Sequence, residues 1–430
     1  MQSILLLAKI SWRNLWRNPR GTLLTAIALA LGLALLLVSL GLLDGGHEQA
    51  ISGGVRLGPG HVVIQAKGYQ ESGSQDLLLP AGVESETEAF LQTNAVKRYL
   101  LGMGPRLVAT GLLSSAANAD GVRVVGVVPH DEPIISLIPE RIIQGTYLKD
   151  DIPSGAVIGA ELARKLGVKV GSKAVLMTQA APPSGPGAAK AVAGQMQNTL
   201  LRVTGIFRTG LEAMDTNLVY LPLPAAQALL GVSDHRLTQL VIVLDRESDS
   251  SIVAIGLRKQ LTRYPVEVLT WRESMPMLAQ NLRLDHAFNY IMNGVVLGMV
   301  GLGILNTILM RVLERRYEFG VCTALGLRPL QLAAMIVGES LALSVISLTL
   351  GLVLGLSVHH FLAIRGLDLR WLFKTGLPPA LIIDPILYSR LSPERVVSSL
   401  SVVLIMATVI SFYPAFKAAR TELPGALKVL

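Results

Sequence analysis

The 430-residue sequence predicts a membrane protein with four transmembrane α-helices and an extracytoplasmic mixed α/β domain. Three observations predict this fold class. Hydrophobic residues make up 51% of the chain and charged residues 16%, so a mean hydropathy of +0.51 indicates that much of the surface lies in lipid. Four apolar runs are long enough for a helix to cross a bilayer. A long mixed polar segment separates the first two runs and has room for a folded domain.

The first apolar run, residues 21–43, predicts transmembrane helix 1. It is longer than the apolar region of a signal peptide, and no A-x-A-like cleavage site follows it, so we expect a retained anchor. The preceding residues 1–20 contain basic side chains and no acidic one, with Trp12 and Trp16 one helical turn apart. This pattern predicts an amphipathic helix at the cytoplasmic membrane interface.

The later apolar runs predict transmembrane helix 2 at residues 287–310, helix 3 at residues 332–364 and helix 4 at residues 396–416. Basic residues flank the 311–331 link and occur in the 417–430 tail, so the positive-inside rule places both termini and this link in the cytoplasm. Residues 365–395 then form a periplasmic loop. This loop fits the charge rule poorly because its basic residues outnumber its acidic ones, and only the number of crossings places it outside.

Residues 44–285 predict the extracytoplasmic α/β domain. Segments rich in β-branched residues, such as "HVVIQA" and "LVIVLD", predict strands, whereas "GAELARKLGV" has the periodicity of a helix. Within the domain, residues 179–197 are rich in Pro, Gly and Ala, which predicts a flexible loop.

No motif in the sequence supports an enzyme. An ATPase needs a glycine-rich loop that ends in Gly-Lys-Ser/Thr, and "GVKVGSK" at residues 167–173 has the wrong spacing and order. H-E-x-x-H and G-x-S-x-G are also missing, and the single cysteine, Cys322, excludes a cysteine-based zinc site. We therefore expect no catalytic residue, bound cofactor or metal in this chain. The net charge is +8, and basic residues flank the apolar runs. This placement favours a role of the basic residues in membrane topology over nucleic-acid binding.

Glycines at four-residue spacing occur in two predicted crossings: Gly294 and Gly298 in helix 2, and Gly351 and Gly355 in helix 3. Small residues at this spacing let two helix backbones approach closely, either within one subunit or between two subunits. Glu339, near the cytoplasmic end of helix 3, is either a functional carboxylate or the partner of a nearby arginine.

The cytoplasmic link contains "LERRYEFGVCTALGLRPLQL", which begins at Leu313. From Arg311 onward the pattern predicts a helix that ends at Gly326, with Pro329 in the first turn of the next helix. Tyr317, Val321 and Leu325 recur every four residues and can pack on a partner or on the membrane base. An ordinary charged loop that sets topology is the alternative.

This link resembles the second-to-third helix connection of the FtsX-like, or type VII, ABC transporter permeases, in which Glu-Arg-Arg-x-Glu-x-Gly precedes Ala-Leu-Gly. "SWRNLWRNPRGTLLT" and "YPAFKAARTELPGALK" are similar to the entry and the ending of that family. "LRVTGIFRTGLEAMDTNLVYLPL", in the outer domain, is similar to the lipoprotein-releasing branch.

The resemblance implies a MacB periplasmic-core-like domain, a cytoplasmic ABC ATPase dimer that holds ATP and Mg, and a second permease copy or a sister permease. It also implies that the link is a coupling helix resting on the ATPase. The residues assigned to coupling are Glu314, Arg315, Arg316, Glu318, Gly320, Ala324, Leu325 and Gly326.

These observations predict a permease subunit that releases lipoproteins from the bacterial inner membrane with the energy of a partner ATPase. A periplasmic lipoprotein carrier or adaptor is a further expected partner. Export of a peptide, an antibiotic or another amphiphile is the alternative within transport, and signalling to a periplasmic hydrolase is the alternative outside it.

Overall fold

The computed structural model describes residues 19–180, 195–232, 236–324, 326–369 and 386–419, together with Arg13, Trp16 and Arg17. Within these residues the chain divides into two units. The membrane unit consists of the described residues up to Glu48, residues 283–369 and residues 386–419, and the α/β unit consists of residues 49–282.

In chain order, the described α-helices are α1 (Pro19–Leu57), α2 (Tyr69–Ser72), α3 (Val83–Leu91), α4 (Asn94–Lys97), α5 (Glu132–Ile135), α6 (Ala160–Leu166), α7 (Glu212–Asn217), α8 (Leu223–Leu230), α9 (Ser250–Gln260), α10 (Trp271–Ser274), α11 (Pro276–Glu314), α12 (Arg316–Ala324), α13 (Pro329–Arg365) and α14 (Pro393–Ala419). Short 3-10 helices occur at Ile138–Arg141 and Glu247–Asp249.

The described strands are β1 (Val62–Ala66), β2 (Leu100–Ser114), β3 (Ala119–Val127), β4 (Ile142–Gly145), β5 (Gly155–Gly159), β6 (Lys173–Gln179), β7 (Met196–Phe207), β8 (Leu218–Pro222), β9 (Gln239–Leu244), β10 (Val266–Thr270), β11 (Leu367–Asp368) and β12 (Ile386–Leu387).

Four described helices, α1, α11, α13 and α14, are long and apolar enough to cross a membrane. They are longer than the apolar runs that predict them, and α1 continues to Leu57 although its run ends at residue 43. At 1.5 Å per residue, the 39 residues of α1 and of α11 extend about 58 Å, about twice the hydrocarbon thickness of a bilayer. Hydropathy marks only the part of a helix that suits lipid, so the sequence prediction places the outer end of α1 and the start of α11 in the 44–285 domain.

The helices of the membrane unit pack through aliphatic and small side chains. Leu33 and Leu37 of α1 are buried in one cluster with Val403 of α14. A second cluster joins α11, α12, α13 and α14 and includes Ile308 and Ala415. These contacts place the 311–331 link at one end of a packed helix bundle.

The α/β unit contains a ten-stranded sheet in the order β10-β1-β9-β2-β3-β8-β5-β7-β4, and β6 pairs with β2 and β7. Most pairs are antiparallel, whereas β3–β8 and β5–β7 are parallel. One hydrophobic cluster joins β1 and β9 to α3 and α9, and another joins β5, β6 and β7 to α6. The predicted mixed α/β class is confirmed.

The flexible loop predicted at residues 179–197 is shorter than its composition suggests. Gln179 and Met196 are cross-strand partners at the ends of β6 and β7. The prediction was wrong at these ends, because the antiparallel ladder extends over polar residues whose hydrogen bonds come from the backbone. Residues 181–194 lie outside the described residues.

Other predictions also lie wholly or partly outside the described residues. They concern most of the 1–20 amphipathic helix, residues 370–385 of the predicted periplasmic loop, and residues 420–430 of the predicted tail. The described ends of the 365–395 loop form an antiparallel pair, Leu367 with Leu387 and Asp368 with Ile386. Helix α14 then begins at Pro393, before the predicted start of the fourth crossing, and runs into the predicted tail as far as Ala419.

Candidate functional site

The predicted coupling link is helical but not one uninterrupted helix. Helix α11 extends to Glu314, and α12 begins at Arg316. At the junction, Arg315 donates its N–H to the Arg311 carbonyl at 3.2 Å, and its own carbonyl accepts the Phe319 N–H at 3.1 Å. Helical hydrogen bonding therefore bridges Arg315, and the junction is a local irregularity rather than a loop.

The end of α12 has the local chemistry that the sequence predicts. Gly326 has a φ of +92°, a left-handed conformation that glycine adopts without the steric cost of a Cβ. Pro329 is the first residue of α13, where a missing N–H costs nothing. The Gln331 side chain accepts the Arg328 backbone N–H at 3.0 Å. Leu325 lies outside the described residues.

Arg315 is turned into the bundle, not outward to a partner. One of its terminal nitrogens donates to Glu339 of α13 at 3.0 Å, and its Nε donates to Glu318 at 3.0 Å. Arg311 lies 3.9 Å from the same Glu339 and donates to the Thr22 hydroxyl of α1 at 3.2 Å. Glu339 is thus the partner of arginines from the link, one of the two predicted alternatives. Arg315 and Glu318, two of the residues assigned to coupling, are therefore hydrogen-bonded within the bundle, and their contact with an ATPase stays a prediction.

Glu318 also connects α12 to the start of the described chain. Arg17 donates to the Glu318 carboxylate at 3.0 Å. The Arg17 guanidinium holds the pKa of the Glu318 carboxyl below its usual value, so Glu318 is ionised near neutral pH. Because the Arg17 side chain is 61% exposed, we expect this ion pair to contribute little to the free energy of unfolding.

The opposite side of the link is apolar and exposed. Leu313, Tyr317 and Val321 lie four residues apart and are 60%, 58% and 38% exposed. Glu314 and Arg316 are exposed beside them, and within the described part of the chain neither forms an ion pair. Ala324 and Gly326 are also exposed, whereas Gly320 is buried. We call Leu313, Glu314, Arg316, Tyr317 and Val321 the outer face of the link.

The two predicted glycine pairs have different surroundings. A Cβ added at Gly351 would lie 2.8 Å from the Ala30 carbonyl oxygen, and one at Gly355 would lie 3.2 Å from the Ala34 Cα. These glycines therefore let α13 pack closely against α1. Outside α11 itself, no described atom would lie within 4 Å of a Cβ at Gly294 or Gly298.

Two family comparisons match the two parts of this architecture. The FtsX-like permease C-terminal family matches residues 290–423, which contain the link and the later helices. The MacB-like periplasmic core domain family matches residues 22–259, more than half of the chain. The chain belongs to the MacB-type, FtsX-like ABC transporter permeases. The resemblance that the sequence motifs indicated is confirmed, and the α/β unit is the periplasmic-type domain of an inner-membrane permease.

Full-length relatives of the permease carry lipoprotein-releasing names. The chain is 24% identical to the lipoprotein-releasing system transmembrane protein LolE of Haemophilus influenzae, over 96% of this chain and 97% of that protein. It is 22% identical to the corresponding LolC of Xylella fastidiosa, over 94% of this chain and 92% of that protein. The pyoverdine export ATP-binding/permease protein PvdT of Pseudomonas fluorescens is 24% identical, and the chain covers 57% of its length.

The geometry sorts the predicted coupling residues of the permease into two groups. Arg315 and Glu318 hold the link against the bundle through charged hydrogen bonds. Glu314 and Arg316 are presented outward and remain candidates for contact with an ATPase. Arg17 and Thr22 were missed by sequence reasoning, because no local pattern connects them with residues about three hundred positions away.

Proposed function

We propose that this permease receives the motion of a separate cytoplasmic ABC ATPase through the outer face of the link. The proposal places the link and both termini in the cytoplasm and leaves ATP and Mg on the ATPase. The observation that carries it is the contrast between the two sides of α12: charged bonds fix one side to the bundle, while an apolar stripe on the other faces outward. Apolar anchors flanked by charges are typical of specific protein interfaces.

The fixed side of α12 gives this contact a mechanical consequence. A displacement of α12 acts on α13 through Arg315 and Glu339, which are joined at 3.0 Å. Arg311, on the adjoining turn of α11, contacts the same carboxylate and the α1 hydroxyl of Thr22. The network therefore supports transmission from α12 to three membrane helices together.

The double variant Tyr317→Asp/Val321→Asp tests the contact. We expect it to reduce co-purification with the partner ATPase at least tenfold, because two desolvated charges would face the partner. The matched control is Ile252→Asp/Ile255→Asp, whose isoleucines are 61% and 64% exposed on α9 of the periplasmic-type domain. Co-purification at the wild-type level in the Tyr317/Val321 variant would remove the outer face from the coupling mechanism.

We propose lipoproteins of the inner membrane as the substrate. Support comes from the LolE and LolC relatives, whose similarity covers nearly the whole of both chains, and from the sequence similarity at residues 201–223. A periplasmic carrier or adaptor belongs to this proposal as a further partner. Export of an amphiphile is the second candidate, because the similarity to PvdT covers 96% of this chain.

Depletion of the permease tests the substrate. We expect lipoproteins destined for the outer membrane to accumulate in the inner membrane, measured by membrane fractionation and acyl labelling. Re-expression of the wild-type chain is expected to restore sorting, and re-expression of the Tyr317→Asp/Val321→Asp variant is not. Unchanged lipoprotein sorting, together with retention of an exported amphiphile, would transfer the assignment to the second candidate.

A further inference from the structure

A cavity of about 490 Å³ lies inside the periplasmic-type domain. Strands β1, β2, β3, β8 and β9 each contribute to its wall, so it follows one face of the large sheet. Its size is that of protein sites for small molecules, which occupy roughly 300–1,000 Å³. The functions assigned above do not use it.

Part of the wall is aliphatic. Val63, Val108, Val125 and Leu218 line the cavity and are 1%, 5%, 5% and 7% exposed. These four side chains are buried, so this part of the wall is closely packed and apolar, whereas Thr110 and Arg123 mark the part that is open to solvent. Water cannot form its hydrogen bonds against such a wall, whereas an aliphatic chain can cover it.

A second part of the wall consists of side-chain amides without net charge. The Gln239 amide donates to the Gln65 side-chain oxygen at 2.9 Å, and the Gln65 amide donates to Glu267 at 2.7 Å. Glu267 also accepts the Gln70 backbone N–H at 3.2 Å. Glu267 itself does not line the cavity, and its carboxylate is hydrogen-bonded to these neutral amide donors.

Arg123 is the only charged side chain among the described residues that line the cavity. It is exposed, and within the described part of the chain no carboxylate forms an ion pair with it. Burial raises the pKa of the neighbouring Tyr69 hydroxyl, while the positive charge of Arg123 acts in the opposite direction. The guanidinium has five N–H groups that can donate to an anion.

These walls require a ligand with two kinds of surface. A purely polar ligand would leave the aliphatic wall without contacts, and a purely apolar one would leave the Arg123 charge without a partner. We infer that the cavity binds a single-chain anionic amphiphile, with its apolar chain along Val108, Val125 and Leu218 and its anionic head at Arg123. This inference does not depend on the proposed substrate of the permease.

The test uses the full-length permease in lipid nanodiscs and a fatty acid that carries a photoreactive diazirine on its chain, with labelled peptides mapped by mass spectrometry. We expect labelling of peptides from β2, β3 and β8. The matching fatty alcohol, which lacks the charge, is expected to label the same peptides at least tenfold more weakly at equal concentration.

Three variants separate charge, space and general effects. Arg123→Gln is expected to lower labelling by the acid about tenfold without changing labelling by the alcohol, which also shows that the cavity is intact. Thr110→Trp, at an exposed position of the wall, is expected to lower labelling by both probes. Arg202→Gln, at an exposed position of β7 outside the cavity wall, is expected to change neither.

Two outcomes overturn the inference: no labelling of β2, β3 or β8 above that of the membrane helices, or equal acid labelling in the Arg123→Gln and Arg202→Gln variants. Competition distinguishes the source of the ligand. Displacement by unlabelled fatty acid alone indicates a free fatty acid, and displacement by a mono-acylated peptide with a free carboxylate indicates an acylated substrate. Either result supports the site.

Discussion

Two adjacent arginines of the link differ in role although they look equivalent in sequence. Arg315 donates to Glu339 and Glu318 and lies 5.3 Å from the Phe319 ring centre, whereas Arg316 is exposed without an ion pair among the described residues. The Arg315 side chain is 20% exposed and that of Glu339 is 11% exposed. Loss of Arg315 therefore leaves a carboxylate with little access to water.

Replacement of these arginines by leucine separates the two roles. We expect Arg315→Leu to destabilise the permease by about 3 kcal/mol, because it removes the charged hydrogen bonds to Glu339 and Glu318 and leaves Glu339 with only the more distant Arg311, at 3.9 Å. Arg316→Leu is the matched control and should change stability by less than about 0.5 kcal/mol. The measurement is the thermal unfolding of the detergent-solubilised protein. Equal stability of the two variants would contradict the inward assignment of Arg315.

His61, in the periplasmic-type domain, is a buried neutral imidazole. Burial lowers the pKa of His61 to about 4 from an ordinary value of 6.5. Its Nδ1 accepts the Leu244 backbone N–H at 3.1 Å, and protonation would remove this acceptor. Below pH 6.5 the unfolded chain therefore binds a proton at this position that the folded chain does not bind.

The pH dependence of stability follows from this difference. The contribution of His61 is fully present above pH 6.5, decreases as the pH falls towards 4 and is lost below that value. Its size is on the order of 3 kcal/mol. Other groups titrate in the same range, so the measurement is the difference in unfolding midpoint between wild type and His61→Asn from pH 7 to pH 4. Parallel curves for the two proteins would refute the assignment.

At the scale of single elements, identical glycine spacing has two structural outcomes. Gly351 and Gly355 are covered by α1, whereas Gly294 and Gly298 on α11 are covered by no described residue. The G-x-x-x-G pattern predicts that a close approach is feasible, and it carries no information about which helix makes the approach. The sequence therefore predicts four glycine positions where helices can pack closely, but it does not show which of them lie in a contact between helices of the same subunit.

Leucine substitutions distinguish the glycine pairs. Gly351→Leu is expected to lower the unfolding free energy by about 1–3 kcal/mol, since the new side chain would overlap the α1 backbone at Ala30. Gly294→Leu adds the same side chain to an open position and should leave the stability of the isolated chain within about 0.5 kcal/mol of wild type. Both are measured by thermal unfolding in detergent. A larger loss in Gly294→Leu than in Gly351→Leu would reverse the assignment.

At the scale of the whole molecule, properties encoded locally were predictable from the sequence. Apolar runs located the four membrane helices, and Gly326 with Pro329 marked the end of α12 and the start of α13. Properties that depend on contacts between residues far apart in the sequence were not predictable in this way. The bond from Arg17 to Glu318 spans 301 positions, and no period or motif connects its ends. The cavity was also inaccessible to sequence analysis, because its wall comes from five strands.

Helix bounds lie between these two cases. Long apolar runs establish that a helix exists, yet α1 and α11 continue through polar residues whose helical state depends on packing. Near the outer end of α1, Val55 is buried against Trp271 and Ala279 in one cluster of the periplasmic-type domain. Tertiary contacts of this kind outweigh local composition.

The pairing of β1 constrains the order in which the periplasmic-type domain is made. Among the described strands, β1 pairs with β9 and β10, which follow it by most of the domain's length. A chain that is synthesised from its N-terminus therefore exposes both edges of β1 until β9 has emerged at Leu244, and one edge until Thr270 has emerged, just before the residues of α11 follow. The ladder closes late and over long loops, which predicts slow folding and a period in which the nascent domain is open to aggregation or to a chaperone.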